Sequence, residues 1–137
     1  MSTTHTTVGD IASSPVRTTP PEESVTEIAK TLFEEGIGSV VVADDGEPIG
    51  IITESDVVAL VANGADCTSV SAASAMSDSL ITIEPDVRLE DAAHRMKEHE
   101  IKKLPVVGEE GLIGMVTTTD LATHFPQYHP RGEQWTP

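Results

Sequence analysis

Apolar and polar residues alternate along this chain in two rhythms, and each rhythm occurs twice. Val25, Ile28, Ala29, Leu32 and Phe33 follow the i, i+3, i+4, i+7, i+8 spacing of a helix with one face on a core. Ser24-Val-Thr-Glu27 in front of them reads as a capping box, and Gly36 falls where a left-handed helix end is expected. Val16-Arg-Thr18 before this helix reads as a short strand, with Pro20-Pro21 as the turn between. After it, Ser39 to Ala43 is β-rich, Asp44-Asp-Gly46 is a turn, and Pro48 to Thr53 returns as the second arm of a hairpin. A closing helix is expected from Asp56 to Asn63, stopped at Gly64.

The same text returns 64 positions later. Residues 8–62 align with 72–126 without a gap, with 11 identities in 55 positions. Among these are Thr18/Thr82, Pro21/Pro85, Val42/Val106, Gly50/Gly114, Thr53/Thr117 and Asp56/Asp120. Apolar positions coincide too, as in Leu32/Met96, Val40/Leu104 and Ile51/Met115. A fixed internal period marks a structural unit used twice. The second copy has Leu80-Ile-Thr82 as its strand, a helix through Leu89, Ala92, Ala93 and Met96, and a hairpin around Glu109-Glu-Gly111. Asp86 is the expected cap of its first helix, because Arg88 stands where the cap serine would be. Its closing helix runs from Asp120 to His124 and stops before Pro126. The unit is therefore β-α-β-β-α, an α/β (α+β) fold. The first copy spans 8–64, a linker rich in Ala, Ser and Thr spans 65–74, and the second copy spans 75–126. Residues 1–7 and the tail 127–137, which holds Trp135, are expected to be loosely ordered ends.

At 137 residues the chain can build one core-forming module without staples. A single cysteine, Cys67, excludes an internal disulfide framework. No apolar run approaches a membrane span, and the N-terminus has no signal-peptide pattern, so a cytoplasmic protein is expected. Twenty-three acidic residues face eight basic ones, a formal net charge of −15. That balance repels nucleic acid and anionic membranes. With only four lysines, it predicts adaptation to high salt, where screening removes the self-repulsion.

The segments Ile49-Gly-Ile-Ile-Thr-Glu-Ser-Asp56 and Ile113-Gly-Met-Val-Thr-Thr-Thr-Asp120 resemble the cystathionine β-synthase-type (CBS) domain. Val8-Gly-Asp-Ile11 resembles the family's lead-in, and Ile101-Lys-Lys-Leu-Pro-Val-Val107 its second strand. The resemblance covers about residues 8–125. It implies a tandem pair, a Bateman module, whose two repeats pack about a pseudo-twofold axis and leave two clefts. It also implies regulatory binding of an adenosyl ligand (AMP, ADP, ATP or S-adenosylmethionine), with the signal passed to an effector protein.

The residues carry that chemistry on their own terms. Asp56 and Asp120 lie in the first turn of each closing helix, where a carboxylate accepts hydrogen bonds from a ribose diol. Thr53 and Thr117 offer a hydroxyl and a nearby N–H at a helix start, which suits a phosphate. Thr18 and Thr82 end the opening strands, where edge backbone groups pair with an adenine. Ile51 and Met115, with Ile52 and Val116, are candidates to sandwich the base. Lys102 and Lys103 are the only adjacent basic pair, and the resemblance assigns that position to phosphate contacts. The first copy has Gly38 and Ser39 there, so unequal sites are expected. A purely structural reading stands beside this one, in which Asp56 and Asp120 only cap helices and the chain is a dimerisation module without a ligand.

No catalytic constellation is visible, so no enzyme activity is expected. His94 and His99 are five apart, as are His124 and His129; neither pair has the i, i+4 spacing of a metal site. No metal and no cofactor are expected. Apolar residues on Val57-Val-Ala-Leu-Val61 and on the first helix predict a homodimer.

Overall fold

A computed structural model of the chain describes residues 6–14, 16–77 and 80–124. Trp135, the 127–137 tail and the Pro126 stop lie outside these residues. In chain order the elements are α1 (Val8–Ile11), β1 (Thr18–Thr19), α2 (Val25–Glu35), β2 (Ser39–Asp44), β3 (Glu47–Thr53), α3 (Glu54–Ala62), α4 (Ala72–Ala75), α5 (Leu89–His99), β4 (Lys103–Gly108), β5 (Gly111–Thr117) and α6 (Thr118–His124). They form two compact units. One is Val16–Leu80; the other joins the described residues before Pro15 to those from Ile81 on.

In the Val16–Leu80 unit the sheet order is β1-β2-β3, with β1 parallel and β3 antiparallel to β2. The hairpin turns through Asp45 and Gly46, both at positive φ (57° and 84°), as a two-residue turn matched to strand twist requires. Helix α2 starts where Ser24 Oγ accepts the Glu27 N–H (3.2 Å) and ends at Gly36 with φ 65°. The expected capping box is only half made, because the Glu27 carboxylate turns to Lys30 Nζ (3.2 Å). Ile28, Leu32, Val40, Val42, Ile52 and Ala72 close the core. Phe33 is 87% exposed, against the expectation of a five-residue buried stripe. It stands roughly 100° round the helix from Leu32, past the edge of the stripe.

The second unit repeats this plan around the β4–β5 hairpin. Both hairpins shift register at the same place, between Val42 and Ala43 and between Val106 and Val107. Its core is Val8, Ile83, Leu89, Ala92, Met96, Leu104, Val106, Val116 and Leu121. Asp86 does not cap α5; Arg88 stands at the cap position with no side-chain bond. Both closing helices begin earlier than expected, at Glu54 and Thr118, because the threonine before each one, not the aspartate, receives the first-turn N–H.

The opening strands also differ from expectation. In the first repeat pairing is at Thr18 and Thr19, with Val41 N–H donating to the Arg17 carbonyl (3.0 Å). In the second, Pro105 occupies the position of Val41 and has no N–H to give. The opening strand shrinks to one bridge, Ile83 with Val106.

The lead-in of each repeat folds onto the other repeat's core. Val8 is buried in the second unit's cluster and Ala72 in the first's. The stretch expected as linker thus ends in a structured turn: Ser71 caps α4, and Ala72 N–H donates to Glu23 O (2.7 Å). Thr7, expected to belong to a loose end, likewise caps α1. Glycine makes the docking possible. A Cβ on Gly50 would run into Met76 and stand 2.8 Å from Ser77 O; one on Gly114 would stand 2.9 Å from both Ala12 Cβ and Ser13 O.

Candidate ligand-binding site

Strand register sorts the side chains onto two faces, since successive residues point opposite ways. Val40 pairs with Ile52 and Val42 with Gly50, on the face covered by helices. Ser39 pairs with Thr53, Val41 with Ile51, and Thr18 with Val41. Thr18, Ser39, Ile51 and Thr53 therefore share the other face. The second unit does the same with Lys103 opposite Thr117 and Met115 opposite Pro105. Thr82 joins that face, because Ile83 beside it points into the core. Ile52 and Val116 are fully buried in the two cores, so they present no surface to a base. Ile51 and Met115 stand on the right face, with Met115 only 8% exposed.

At the end of each hairpin the Thr-x-x-Asp motif closes on itself. Asp56 Oδ2 accepts from Thr53 N (2.8 Å) and Thr53 Oγ1 (3.0 Å), while Asp56 N–H donates to Thr53 Oγ1 (3.3 Å). Asp120 Oδ2 accepts from Thr117 N (2.9 Å), and Asp120 N–H donates to Thr117 Oγ1 (3.1 Å). The threonine N–H expected to meet phosphate is thus engaged by the aspartate. What remains outward is chemically useful: among the described residues Oδ1 of each aspartate makes no hydrogen bond, so it can accept one from a hydroxyl. Both aspartates are half-buried.

A third copy of this box, at Thr7 and Asp10, puts the motif in proportion. Asp10 Oδ2 accepts from Thr7 N (2.9 Å) and Thr7 Oγ1 (3.0 Å), and these bonds, the backbone one first, lower its pKa from the usual carboxylate value. It caps a four-residue helix and no sheet face of threonines accompanies it. The box alone is a cap; the face beside it makes a candidate site at Asp56 and Asp120.

The two sites differ. Lys102 is exposed and Lys103 half-buried. The Lys102 carbonyl accepts from Thr118 N (2.9 Å) and Lys103 pairs with Thr117, so the main chain of both lysines is held beside the Thr117–Asp120 box. Gly38 makes the equivalent bond from Glu54 N (3.1 Å) with no cation nearby in sequence. A cavity of about 180 Å³ lies beside Thr18 and Thr19, and one of about 980 Å³ beside Thr82 and Ile83. Neither cavity reaches the Thr-Asp boxes; both lie beside the opening strand, and Ile28 and Val40 place the smaller one on the helix-covered side of the sheet. One residue that the sequence pattern did not single out lines the larger cavity. Arg95 Nη1, from α5, donates to the Thr82 carbonyl (3.1 Å). Among the described residues no group of His, Cys, Asp and Glu side chains could hold a metal ion.

This face and its paired boxes occur in a recognised setting. The CBS domain family matches residues 8–63 and 70–126. The chain belongs to the CBS domain family and carries two copies of the domain. An uncharacterised protein of Methanopyrus kandleri, MK0525, is 43% identical over 117 residues, a match that spans 83% of this chain and 60% of that protein. This chain thus spans about three fifths of that relative's length. The CBS domain pair of protein MJ0100, solved in complex with 5′-methylthioadenosine and S-adenosyl-L-methionine, is 28% identical with a TM-score of 0.79, covering 90% of this chain and 98% of that one. CBSX2, solved in complex with AMP, is 26% identical with a TM-score of 0.77, covering 88% and 96%.

Proposed function

We propose that this protein is a ligand-sensing regulatory module that binds an adenosyl nucleotide at two unequal sites, one around Asp56 and one around Asp120, and passes the signal to an effector protein. The observation that carries this reading is the sheet face itself. In each repeat the opening-strand threonine, an apolar side chain and a carboxylate with one unengaged oxygen stand on or at the end of one face. That set suits an adenine edge, its ring and a ribose diol. The solved relatives that bind 5′-methylthioadenosine, S-adenosylmethionine and AMP support the adenosyl class. Lys102 and Lys103 favour phosphates at the second site, where ATP and AMP should bind better than adenosine.

We also place the module in the cytoplasm of a salt-adapted cell and read it as a homodimer. Phe33, Val58 and Val61 are 87%, 65% and 63% exposed, on two helices that pack together. Soluble monomers rarely leave large apolar patches uncovered. The second repeat has Lys97 and Ala122 in place of Phe33 and Val58, and keeps an apolar residue, Phe125, only in place of Val61, so we read pairing through the first repeat's helices. A dimerisation module without a ligand would use the same patch and leave the Oδ1 atoms idle.

Asp120→Asn separates the two readings. The amide oxygen can take the place of Oδ2 and keep the box, while the NH₂ puts a donor where a hydroxyl needs an acceptor. Charge-assisted hydrogen bonds contribute roughly 1.5–3 kcal/mol. Calorimetry with AMP is expected to show an affinity loss of about tenfold to a hundredfold at that site, with the melting temperature unchanged. Equal affinity in Asp120→Asn and wild type would leave the cap reading standing.

A further inference from the structure

Resting on the adenosyl reading of the second site, we propose that Arg95 is the positioning residue that holds the adenine-facing strand segment Ile81–Ile83 in place. The argument begins with a missing bond. In the first repeat the main chain of Arg17 is tied to β2 by the Val41 N–H (3.0 Å). Pro105 stands at the position of Val41 and cannot make that bond. Ile83 still exchanges two bonds with β4: its N–H donates to Pro105 O (3.0 Å) and its carbonyl accepts from Val107 N (2.9 Å). Ile81 and Thr82 exchange no main-chain hydrogen bond with β4 among the described residues. Alternate backbone groups of a strand point to opposite edges. The Thr82 carbonyl therefore faces away from β4, toward the edge that α5 lines.

Arg95 supplies the substitute. Its Nη1 donates to that carbonyl at 3.1 Å, across 13 residues of sequence. The first repeat has Thr31 at this position, and its hydroxyl donates only to Glu27 O of its own helix (3.2 Å). A proline that deletes a ladder bond and an arginine that replaces it thus occur in the same repeat and in neither position of the other. The guanidinium suits the task, because it stays charged at any working pH and its bond to one lone pair of the carbonyl leaves the other for a ligand. It is also the one cation among the described residues that line this cavity, beside Glu84, Asp86 and Glu109.

The test is a rescue, read by calorimetry with AMP in an Asp56→Asn background, so that the second site dominates. Arg95→Gln, whose amide is uncharged and too short to reach the Thr82 carbonyl, is expected to weaken AMP about tenfold, and Arg95→Lys, which keeps a cationic donor on a longer stem, to weaken it less. Adding Pro105→Val to Arg95→Gln restores an N–H for the Ile81 carbonyl and is expected to recover most of the lost affinity. A residue that only supports the general fold would not be rescued at a ladder position on another element. Unchanged AMP affinity in Arg95→Gln, or no recovery with Pro105→Val in a protein that melts like wild type, would overturn the clamp. Absence of AMP binding to wild-type protein would instead overturn the adenosyl reading itself.

Discussion

A single residue shows how the repeats diverged without changing their backbone. Gly36 ends α2 with φ 65° and ψ 37°, and Glu100 ends α5 with φ 56° and ψ 44°. The same left-handed cap is built once from glycine and once from a residue with a Cβ. For an L side chain that region costs roughly 1–2 kcal/mol, and a carboxylate at a helix C-terminus opposes the dipole. Glu100→Gly is expected to stabilise the fold by about 1 kcal/mol after the added chain entropy of glycine is counted, raising the melting temperature by a few degrees. A lower melting temperature would mean that Glu100 makes a compensating interaction. The glycine cap at Gly36 was legible in the sequence because glycine announces a positive φ. The cap at Glu100 was not, because nothing in a glutamate marks one. The Thr-x-x-Asp motifs were legible as motifs, but which oxygen is engaged was not. Spacing fixes that two groups meet, while the division of their lone pairs follows from rotamers.

Among elements, the helices and hairpins follow from periodicity, and the lead-ins do not. Residues 8–11 and 72–75 are too short to show a helical period. Ser13 pairs with Met115 and Ser77 with Ile51, each on the other repeat's hairpin, so local pattern is silent about the exchange. Gly50 and Gly114 are the visible trace of it. The resemblance marked them as part of a motif, and their physical reason is the backbone that lies over each one. Gly50→Ala is expected to loosen residues 71–77, and Gly114→Ala residues 6–14, at a cost of about 1–3 kcal/mol each for overpacking. Amide hydrogen exchange reads the two separately. Gly50→Ala should speed exchange at Ser77, whose N–H donates to Ile51 O, and leave Ser13 protected. Gly114→Ala should do the reverse at Ser13, which donates to Met115 O. If both amides respond equally to either change, the two lead-ins are not independent fittings. The opening strands are a second case. Pro105 was in view, but its effect needed the partner register, which only the fold supplies.

At the scale of the whole molecule, charge dominates. Against the net charge of −15, the ion pairs among the described residues are Arg17 with Glu35 (3.3 Å) and Lys30 with Glu27 (3.2 Å), all well exposed. Such pairs contribute little, so most acidic groups are left to repel one another. That repulsion reaches about 10 Å at 0.1 M salt and about 3 Å at 1 M. Two consequences follow from the same field. Within one chain, screening should stabilise the fold, so the melting temperature is expected to rise with potassium chloride. Between chains, two bodies of like charge must approach before Phe33, Val58 and Val61 can cover one another, so pairing should also strengthen with salt. Light scattering is expected to show a mass moving from 14.5 kDa toward twice that value as salt rises. Phe33→Asp divides the effects, because a carboxylate on the patch opposes pairing while the intrachain repulsion persists. That variant should stay monomeric in molar salt and still gain melting temperature with added salt. A flat melting temperature in both proteins would remove the case for salt adaptation. A Phe33→Asp variant that pairs as wild type does would move the interface off the first repeat's helices.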